Sequence, residues 1–104
     1  MDIEEIKSKV RADQYAYTLH ADLEMKAESL RFAQVEAALL NGEILEQCAN
    51  TGRGESCLIL GFADDVPIHL VCGWRGEKIA IVTVYIPRPP NFINPRARGE
   101  RECG

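Results

Sequence analysis

Apolar residues recur at helical spacing from the beginning of the chain. Ile3, Ile6 and Val10 lie three and four residues apart, so they form one stripe along a helix. Asp2, followed three residues later by Glu5, is typical of a capping box, in which both side chains bond to backbone N–H groups of the first turn. This pattern predicts a first helix that begins at Asp2.

Two further helices are predicted before residue 42. The segment Asp13–Thr18 has no clear period and is either a turn or a short extended piece. Helical spacing returns over residues 19–28 and again over residues 32–40. The positions expected to be buried are Leu19, Leu23 and Ala27 in the second helix, and Phe32, Val35, Ala38 and Leu39 in the third. Asn41-Gly42 is expected to end the third helix, because glycine adopts the left-handed conformation that closes a helix.

From residue 43 onward the period changes to two, which is typical of strands. The predicted strands are residues 43–48, 58–63, 68–74 and 79–86. Short connections favour antiparallel pairing, and Pro87, Pro89 and Pro90 end the sheet because proline cannot donate to its ladder. The predicted fold is α+β, with N-terminal helices packed on a four-stranded antiparallel sheet over residues 1–90. Residues 91–104 are predicted to form a basic, irregular tail.

The last hairpin decides which face of the sheet carries His69. A two-residue loop at Gly76-Glu77 sets His69 on the same face as Ala80, Val82 and Val84. A loop of odd length would set it beside Ile79, Ile81, Thr83 and Tyr85. Gly76 suits a tight turn and favours the first arrangement. The helices can cover only one apolar face, so the other is expected to meet the tail or a second subunit.

Composition and charge restrict the class of protein. The 104 residues, 46% of them hydrophobic, suffice for one modest core. The longest apolar stretch is too short to span a bilayer, and the acidic N-terminus does not resemble a secretory signal, so a cytoplasmic protein without a membrane partner is expected. Net charge is −4, with basic residues concentrated at the C-terminal end, which is a poor profile for a general nucleic-acid binder.

The four cysteines do not form a metal-binding pattern. Cys48, Cys57, Cys72 and Cys103 lack the close spacing of a zinc site, and Cys57 and Cys72 lie within apolar runs. They are expected to be reduced thiols, two or three of which pack as small hydrophobic side chains. No metal and no other cofactor is predicted.

Several short motifs follow one another along the chain. They are H-A-x-x-x-M at His20–Met25, V-E-x-A-L-x-N-G-E at Val35–Glu43, L-x-L-G at Leu58–Gly61, P-I-H-L-V at Pro67–Val71 and T-V-Y-x-P at Thr83–Pro87. In this order they resemble a small bacterial family, domain of unknown function family 4258. That family is similar to the RelE/ParE and BrnT-type toxins of bacterial toxin–antitoxin pairs. The resemblance implies a helical hairpin on an antiparallel sheet and ribonuclease activity on messenger RNA. The partners it implies are an antitoxin and either messenger RNA or the ribosome.

The chain departs from the family pattern in its second helix. Members usually carry arginines after the histidine, in a form like H-A-x-x-R-M-x-x-R, whereas the matching positions here are Glu24 and Glu28. If those arginines hold a phosphate in relatives, acidic side chains would repel it. Ser29 stands where the family usually has glycine.

A metal-independent ribonuclease needs a base, an acid and a cation that holds the phosphate. The candidates for the proton transfers are His20, His69 and Tyr85, and those for the phosphate are Arg88, Arg96, Arg98 and Arg101. Each also has an ordinary structural role: a histidine bonded within its helix, a buried imidazole, a packed tyrosine ring and a solvated terminus.

Two hypotheses therefore compete. The first is a toxin-like ribonuclease, which requires His20, His69, Tyr85 and the arginines to meet in one cleft. The second is a non-catalytic protein-binding module on the same scaffold, including pairing as a homodimer; Glu24, Glu28 and the acidic charge favour it. No cofactor motif or carboxylate pair points to a metabolic enzyme.

Overall fold

The computed structural model describes residues 1–48 and 54–88 in full, and the backbone of residues 92–94 and 97–98. The N-terminal part forms α1 (Ile3–Arg11), β1 (Tyr15–Tyr17), α2 (Leu19–Ala27) and α3 (Phe32–Leu40). The later part forms β2 (Glu43–Cys48), β3 (Ser56–Ala63), β4 (Val66–Arg75), β5 (Lys78–Tyr85), β6 (Phe92–Asn94) and β7 (Ala97–Arg98). The predicted α+β class is confirmed, and the short pair β6–β7 lies in the segment predicted to be irregular.

The main sheet is mixed and has five strands in the order β1–β5–β4–β3–β2. Strands β2 to β5 pair antiparallel, as predicted, whereas β1 pairs parallel with β5 and sets Tyr15 opposite Ile79. The prediction of four antiparallel strands is therefore wrong at one edge. The segment Asp13–Thr18, which the pattern left open, contains this extra strand.

The core lies between the helices and one face of the sheet, called here the core face. Each helix contributes a short buried stripe, and the sheet contributes alternate residues of its strands. The buried side chains include Ile6 and Val10 of α1, Ala21 and Met25 of α2, Val35, Ala38 and Leu39 of α3, and Ile59, Leu70, Cys72, Ile81 and Val84 of the sheet. Removing one large aliphatic side chain of this set from water contributes about 1.5–3 kcal/mol.

Helix α3 lies directly on β3 because two glycines leave room for it. A Cβ atom at Gly61 would stand 1.8 Å from the carbonyl oxygen of Ala38, and one at Gly42 would stand 2.6 Å from Ile59 Cγ2. Gly42 is not among the residues with positive φ. The left-handed conformation expected there is therefore wrong, and the glycine provides space instead.

Helix α2 turns a different side to the core than predicted. Leu19 and Leu23 are 75% and 56% exposed, and Ala21 and Met25 are buried in their place. The side chains of Thr18 and Glu24 explain this rotation, because they bind the free edge of β5 beyond β1. The Thr18 hydroxyl donates to the Val82 carbonyl at 3.1 Å, and Glu24 Oε1 accepts from the Val84 N–H at 3.1 Å.

A β-bulge in β5 decides the face of the residues that follow it. The turn between Arg75 and Lys78 is the predicted two-residue loop, so Gly73 pairs with Ala80. The register then shifts between Val71 and Cys72, and His69 stands opposite Tyr85 rather than on the side of Val84. The bulge inserts one extra residue, which reverses the alternation of the strand. The predicted grouping of His69 with Val84 is wrong for this reason.

The face of the sheet opposite the helices, called here the second face, also has buried side chains at its centre. Leu58 and Leu60 are each 1% exposed, Ala80 is 5% exposed and His69 is 0% exposed. The apolar side chains at these positions are therefore removed from solvent in the single chain, and the prediction that this face meets the tail or a second subunit stays a prediction. In the described part of the chain, no helix is both long and apolar enough to cross a membrane.

Candidate functional site

His69 and Tyr85 form a polar pair on the second face, in which His69 is buried and Tyr85 is half-buried. They are direct partners across β4 and β5, with His69 Nδ1 3.3 Å from the Tyr85 hydroxyl and the ring centroids 5.3 Å apart. Leu60 stands on the other side of His69 in β3. The pair holds both groups needed for a proton transfer, but the imidazole is fully buried, so a substrate reaches it only if the surrounding structure moves.

His20 lies elsewhere, on the helical side of the sheet. Its side chain is 66% exposed, and its Nε2 lies 3.2 Å from Glu24 Oε1 one turn along α2. Because α2 packs on the core face and His69 points from the second face, the sheet separates the two histidines. The structure therefore brings His69 and Tyr85 together and leaves His20 apart.

Arg88 is held by an acidic side chain of the second helical segment. Its guanidinium donates to both carboxylate oxygens of Glu28, at 2.9 and 3.0 Å, and to the Ile86 carbonyl at 3.3 Å. The hydrogen bonds to Glu28 and its charge raise the pKa of Arg88. Arg96 and Arg101 lie outside the described residues, and of Arg98 only the backbone in β7 is described.

Glu24 of α2 and Glu28 at its C-terminal end both have structural roles. Glu24 accepts the Val84 N–H, which closes the free edge of β5, and Glu28 pairs with Arg88. An arginine at position 24 could not accept that N–H, and one at position 28 would repel Arg88. The acids are therefore suited to this chain's own packing, and neither is arranged to hold a phosphate.

Three large apolar side chains stand on the outside of the helices. Leu19 and Leu23 of α2 are 75% and 56% exposed, and Phe32 at the start of α3 is 57% exposed. The remaining large apolar side chains that are exposed in the described part, Phe62, Val66 and Val82, are only 37–40% exposed. We call Leu19, Leu23 and Phe32 the helix-layer surface.

Phe32 also belongs to a row of three aromatic rings, the far one of which binds a carboxylate. The Tyr17 ring lies 5.0 Å from that of Phe32 and 5.8 Å from that of Tyr15, and the Tyr15 hydroxyl donates to Glu36 Oε2 at 2.8 Å. Burial, followed by the hydrogen bond and charge of Glu36, raises the pKa of Tyr15 to about 12. We call Tyr15, Tyr17, Phe32 and Glu36 the aromatic–carboxylate cluster. No sequence motif indicated it.

Comparison with known proteins identifies the family of this chain. Residues 17–86, which are more than half of the chain, match the family model described as Domain of unknown function (DUF4258). The chain belongs to this family. No curated protein and no solved structure matches it. The family resemblance drawn from the motifs is therefore confirmed, at the level of a family whose function is not described.

The DUF4258 match includes one group of candidate residues and excludes another. His20, His69 and Tyr85 lie inside residues 17–86, as do Phe32 and Glu36. Helix α1, Tyr15, Arg88 and the tail arginines lie outside it. The pair on the second face and most of the aromatic–carboxylate cluster are thus within the family domain, whereas every arginine proposed to hold phosphate is beyond its end.

The cysteines of this DUF4258 chain differ in state. Cys57 and Cys72 are free, buried and opposite each other on β3 and β4, and burial raises the pKa of Cys57 to about 11 and that of Cys72 further. Thiols of this kind are unreactive packing groups, as predicted. Cys48 is disulfide-bonded, so the expectation of a reduced thiol is wrong there. Within the described residues, no group of His, Cys, Asp or Glu side chains is placed to hold a metal ion.

Proposed function

We propose that this chain is a non-catalytic protein-binding domain that receives its partner on the helix-layer surface. The exposure of Leu19, Leu23 and Phe32 carries the proposal. Each such side chain would contribute about 1.5–3 kcal/mol of stabilisation if it were fully buried instead of exposed to water. Leu19 and Leu23 lie one turn apart on α2, so they form an exposed apolar pair on one side of that helix. Exposed apolar surface of this kind marks contact sites.

The positions of the candidate catalytic residues support binding over catalysis. A ribonuclease needs its base, acid and cation around one phosphate. Here His69 is 0% exposed, His20 lies across the sheet from it, and Arg88 is engaged by Glu28. The described residues therefore do not assemble the three groups at one accessible point.

Charge complementarity indicates a partner with basic side chains around its apolar contact. Residues 19–40 carry four acids, Asp22, Glu24, Glu28 and Glu36, and two bases, Lys26 and Arg31. Asp22 is paired with Lys26 at 2.9 Å, and Glu28 is paired with Arg88. Glu24 and Glu36 remain against Arg31, so the surface that α2 and α3 offer keeps a small net negative charge, which favours a basic protein and disfavours RNA.

The test compares two sets of exposed apolar side chains. Tagged wild type, the double variant Leu19→Ser/Leu23→Ser and the control Phe62→Ser are used to capture a protein from the native cells. The captured protein is then identified and purified, and its Kd for each variant is measured by calorimetry. We expect the double variant to weaken binding about tenfold or more, because anchors at an interface centre dominate affinity, and Phe62→Ser to have little effect. Equal affinity of all three proteins would refute the proposal.

A second function is favoured by the His69–Tyr85 pair. In this alternative the chain is a RelE/ParE- or BrnT-like toxin of the cytoplasm that cleaves messenger RNA without a metal and is neutralised by an antitoxin. The 3.3 Å approach of the imidazole to the phenol sets two proton-transfer groups side by side. Cleavage then requires the second face to open when it meets RNA or the ribosome.

The ribonuclease alternative is tested with purified protein and messenger RNA, with and without ribosomes. Activity that falls at least about a hundredfold in His69→Gln and Tyr85→Phe, the scale of a lost general acid or base, would support it. His20→Ala serves as the control that should keep this activity. Intact RNA in all samples, together with normal bacterial growth on induction, would refute the ribonuclease alternative and leave only the binding function.

A further inference from the structure

We propose that the aromatic–carboxylate cluster binds the guanidinium group of an arginine side chain on the partner protein. Phe32 belongs both to this cluster and to the helix-layer surface, so the proposal rests on the proposed function and names the chemistry of its partner. The described part of the chain supplies the geometry, the exposure and the charge that carry the inference.

The cluster is built by one face of a strand and one side of a helix. Tyr15 and Tyr17 are alternate residues of β1, so their rings project from the same face. Phe32 and Glu36 are four residues apart on α3 and lie one above the other. Tyr15 meets Glu36 at 2.8 Å and Tyr17 meets Phe32 at a centroid distance of 5.0 Å. The ring and the carboxylate are thereby fixed one helical turn apart.

Both binding groups face solvent. Phe32 is 57% exposed and Glu36 is exposed as well, although its carboxylate is oriented by Tyr15. The Tyr15 hydroxyl donates to Oε2, and in the described part of the chain no lysine or arginine forms an ion pair with Glu36. Glu36 therefore presents an oriented anionic oxygen, Oε1, one helical turn from the exposed ring of Phe32.

A guanidinium group fits this pairing better than other ligands. It is planar and weakly hydrated, so it can stack on the Phe32 ring while its N–H groups donate to Glu36 Oε1. An anion would be repelled by the carboxylate, and a purely apolar group would cover the carboxylate without pairing it. A lysine ammonium can make either contact, but it is compact and strongly hydrated and gains less from a flat ring.

The Tyr17 hydroxyl is buried. Burial is the main cause that raises the pKa of Tyr17, so this phenol stays protonated. Tyr17 thus contributes its ring as support behind Phe32, and the proposed contacts to the ligand are those of Phe32 and Glu36. Tyr15 is a positioning residue, because it acts on the ligand only through Glu36.

The test uses Nα-acetyl-arginine amide as the probe and two-dimensional NMR of the intact protein as the readout. Saturable shifts are expected at Phe32, Glu36 and Tyr15, with much weaker shifts for the isosteric, uncharged Nα-acetyl-citrulline amide. The lysine analogue should bind more weakly than the arginine probe. Raising the salt concentration should weaken arginine binding, because an exposed ion pair is screened.

Matched variants assign the binding to the two side chains. Glu36→Gln and Phe32→Leu should each raise the Kd of the arginine probe about two- to fivefold, as expected for an exposed ion pair and an exposed cation–π contact. The controls Glu77→Gln and Phe62→Leu alter an exposed acid and an exposed ring elsewhere and should leave the Kd unchanged. Tyr15→Phe should have a smaller effect than Glu36→Gln. Thermal unfolding of each variant establishes that it is folded.

Two results would overturn the inference. One is equal shifts with arginine and citrulline probes, and the other is an arginine Kd that Glu36→Gln and Phe32→Leu leave unchanged. Since the probe is measured without any partner, its failure is separable from that of the proposed function. If the Leu19→Ser/Leu23→Ser variant no longer binds the partner and the wild-type protein does not bind the arginine probe, the proposed function stands and this inference fails.

Discussion

The helix-layer surface and the second face of the sheet differ in which side chains they expose to solvent. On the helix layer, Leu19 and Leu23 are 75% and 56% exposed. On the second face, Leu60 and His69 are 1% and 0% exposed, although a histidine on a strand is a natural candidate for chemistry at a surface. The comparison teaches that residue type alone does not tell which side chains are accessible here. The leucines of α2 are exposed, whereas His69 is interior although its ring is suited to proton transfer.

The largest expected effect concerns the contact of α3 with the sheet, on which the outward position of Phe32 depends. Gly61→Val would drive a side chain into the carbonyl of Ala38, which stands 1.8 Å from an ideal Cβ. We expect a loss of at least about 3 kcal/mol in the free energy of unfolding, measured with urea. Gly73→Ala is the control, because its Cβ meets ordinary contacts beginning at 3.5 Å. Equal stability of the two variants would contradict the close contact between α3 and β3 at Gly61.

The two histidines provide the next contrast. His69→Ala removes a buried ring and its contact with Tyr85, and it should cost about 2–4 kcal/mol of unfolding free energy. His20→Ala alters a side chain that is 66% exposed, so it should stay within about 0.5 kcal/mol of wild type. Chemical denaturation measures both. A His69 variant as stable as the His20 variant would mean that the second face is open.

The smallest effect is expected on the helix-layer surface itself. Leu19→Ser and Leu23→Ser should each change the unfolding free energy by no more than about 0.5 kcal/mol, because these side chains are largely solvated in the free protein. Leu39→Ala on α3 should cost about 2–5 kcal/mol, since Leu39 is fully buried. If the α2 variants were as damaging as Leu39→Ala, the two leucines would pack in the core as the sequence pattern predicted.

Local periodicity was sufficient for most of the fold. The helical spacing predicted α1, α2 and α3, and the alternation with its turns predicted β2 to β5. It left β1 open between a turn and a short extended piece, because three residues carry little pattern and their partner is a distant parallel strand, where Tyr15 meets Ile79. It also chose the wrong side of α2. That side is set by Thr18 and Glu24 binding the edge of β5, which no helical period records.

The candidate site was less accessible to sequence reasoning than the fold. The motifs singled out His69 and Tyr85, but their pairing depends on a bulge that has no clear signature in the strand. The engagement of Arg88 by Glu28 joins residues 60 positions apart. The aromatic–carboxylate cluster was missed for the same reason, because Tyr15 and Glu36 come together only through the packing of β1 against α3.

The most direct test of the contrast between an open helix layer and a closed second face is the reactivity of the two histidines. Diethyl pyrocarbonate modifies accessible imidazoles, and mass spectrometry of peptides from the intact protein follows each site separately. His20, at 66% exposure, should react readily, whereas His69 should react only when the protein unfolds. Comparable rates at the two residues in the native protein would contradict the account and place the His69–Tyr85 pair within reach of a substrate.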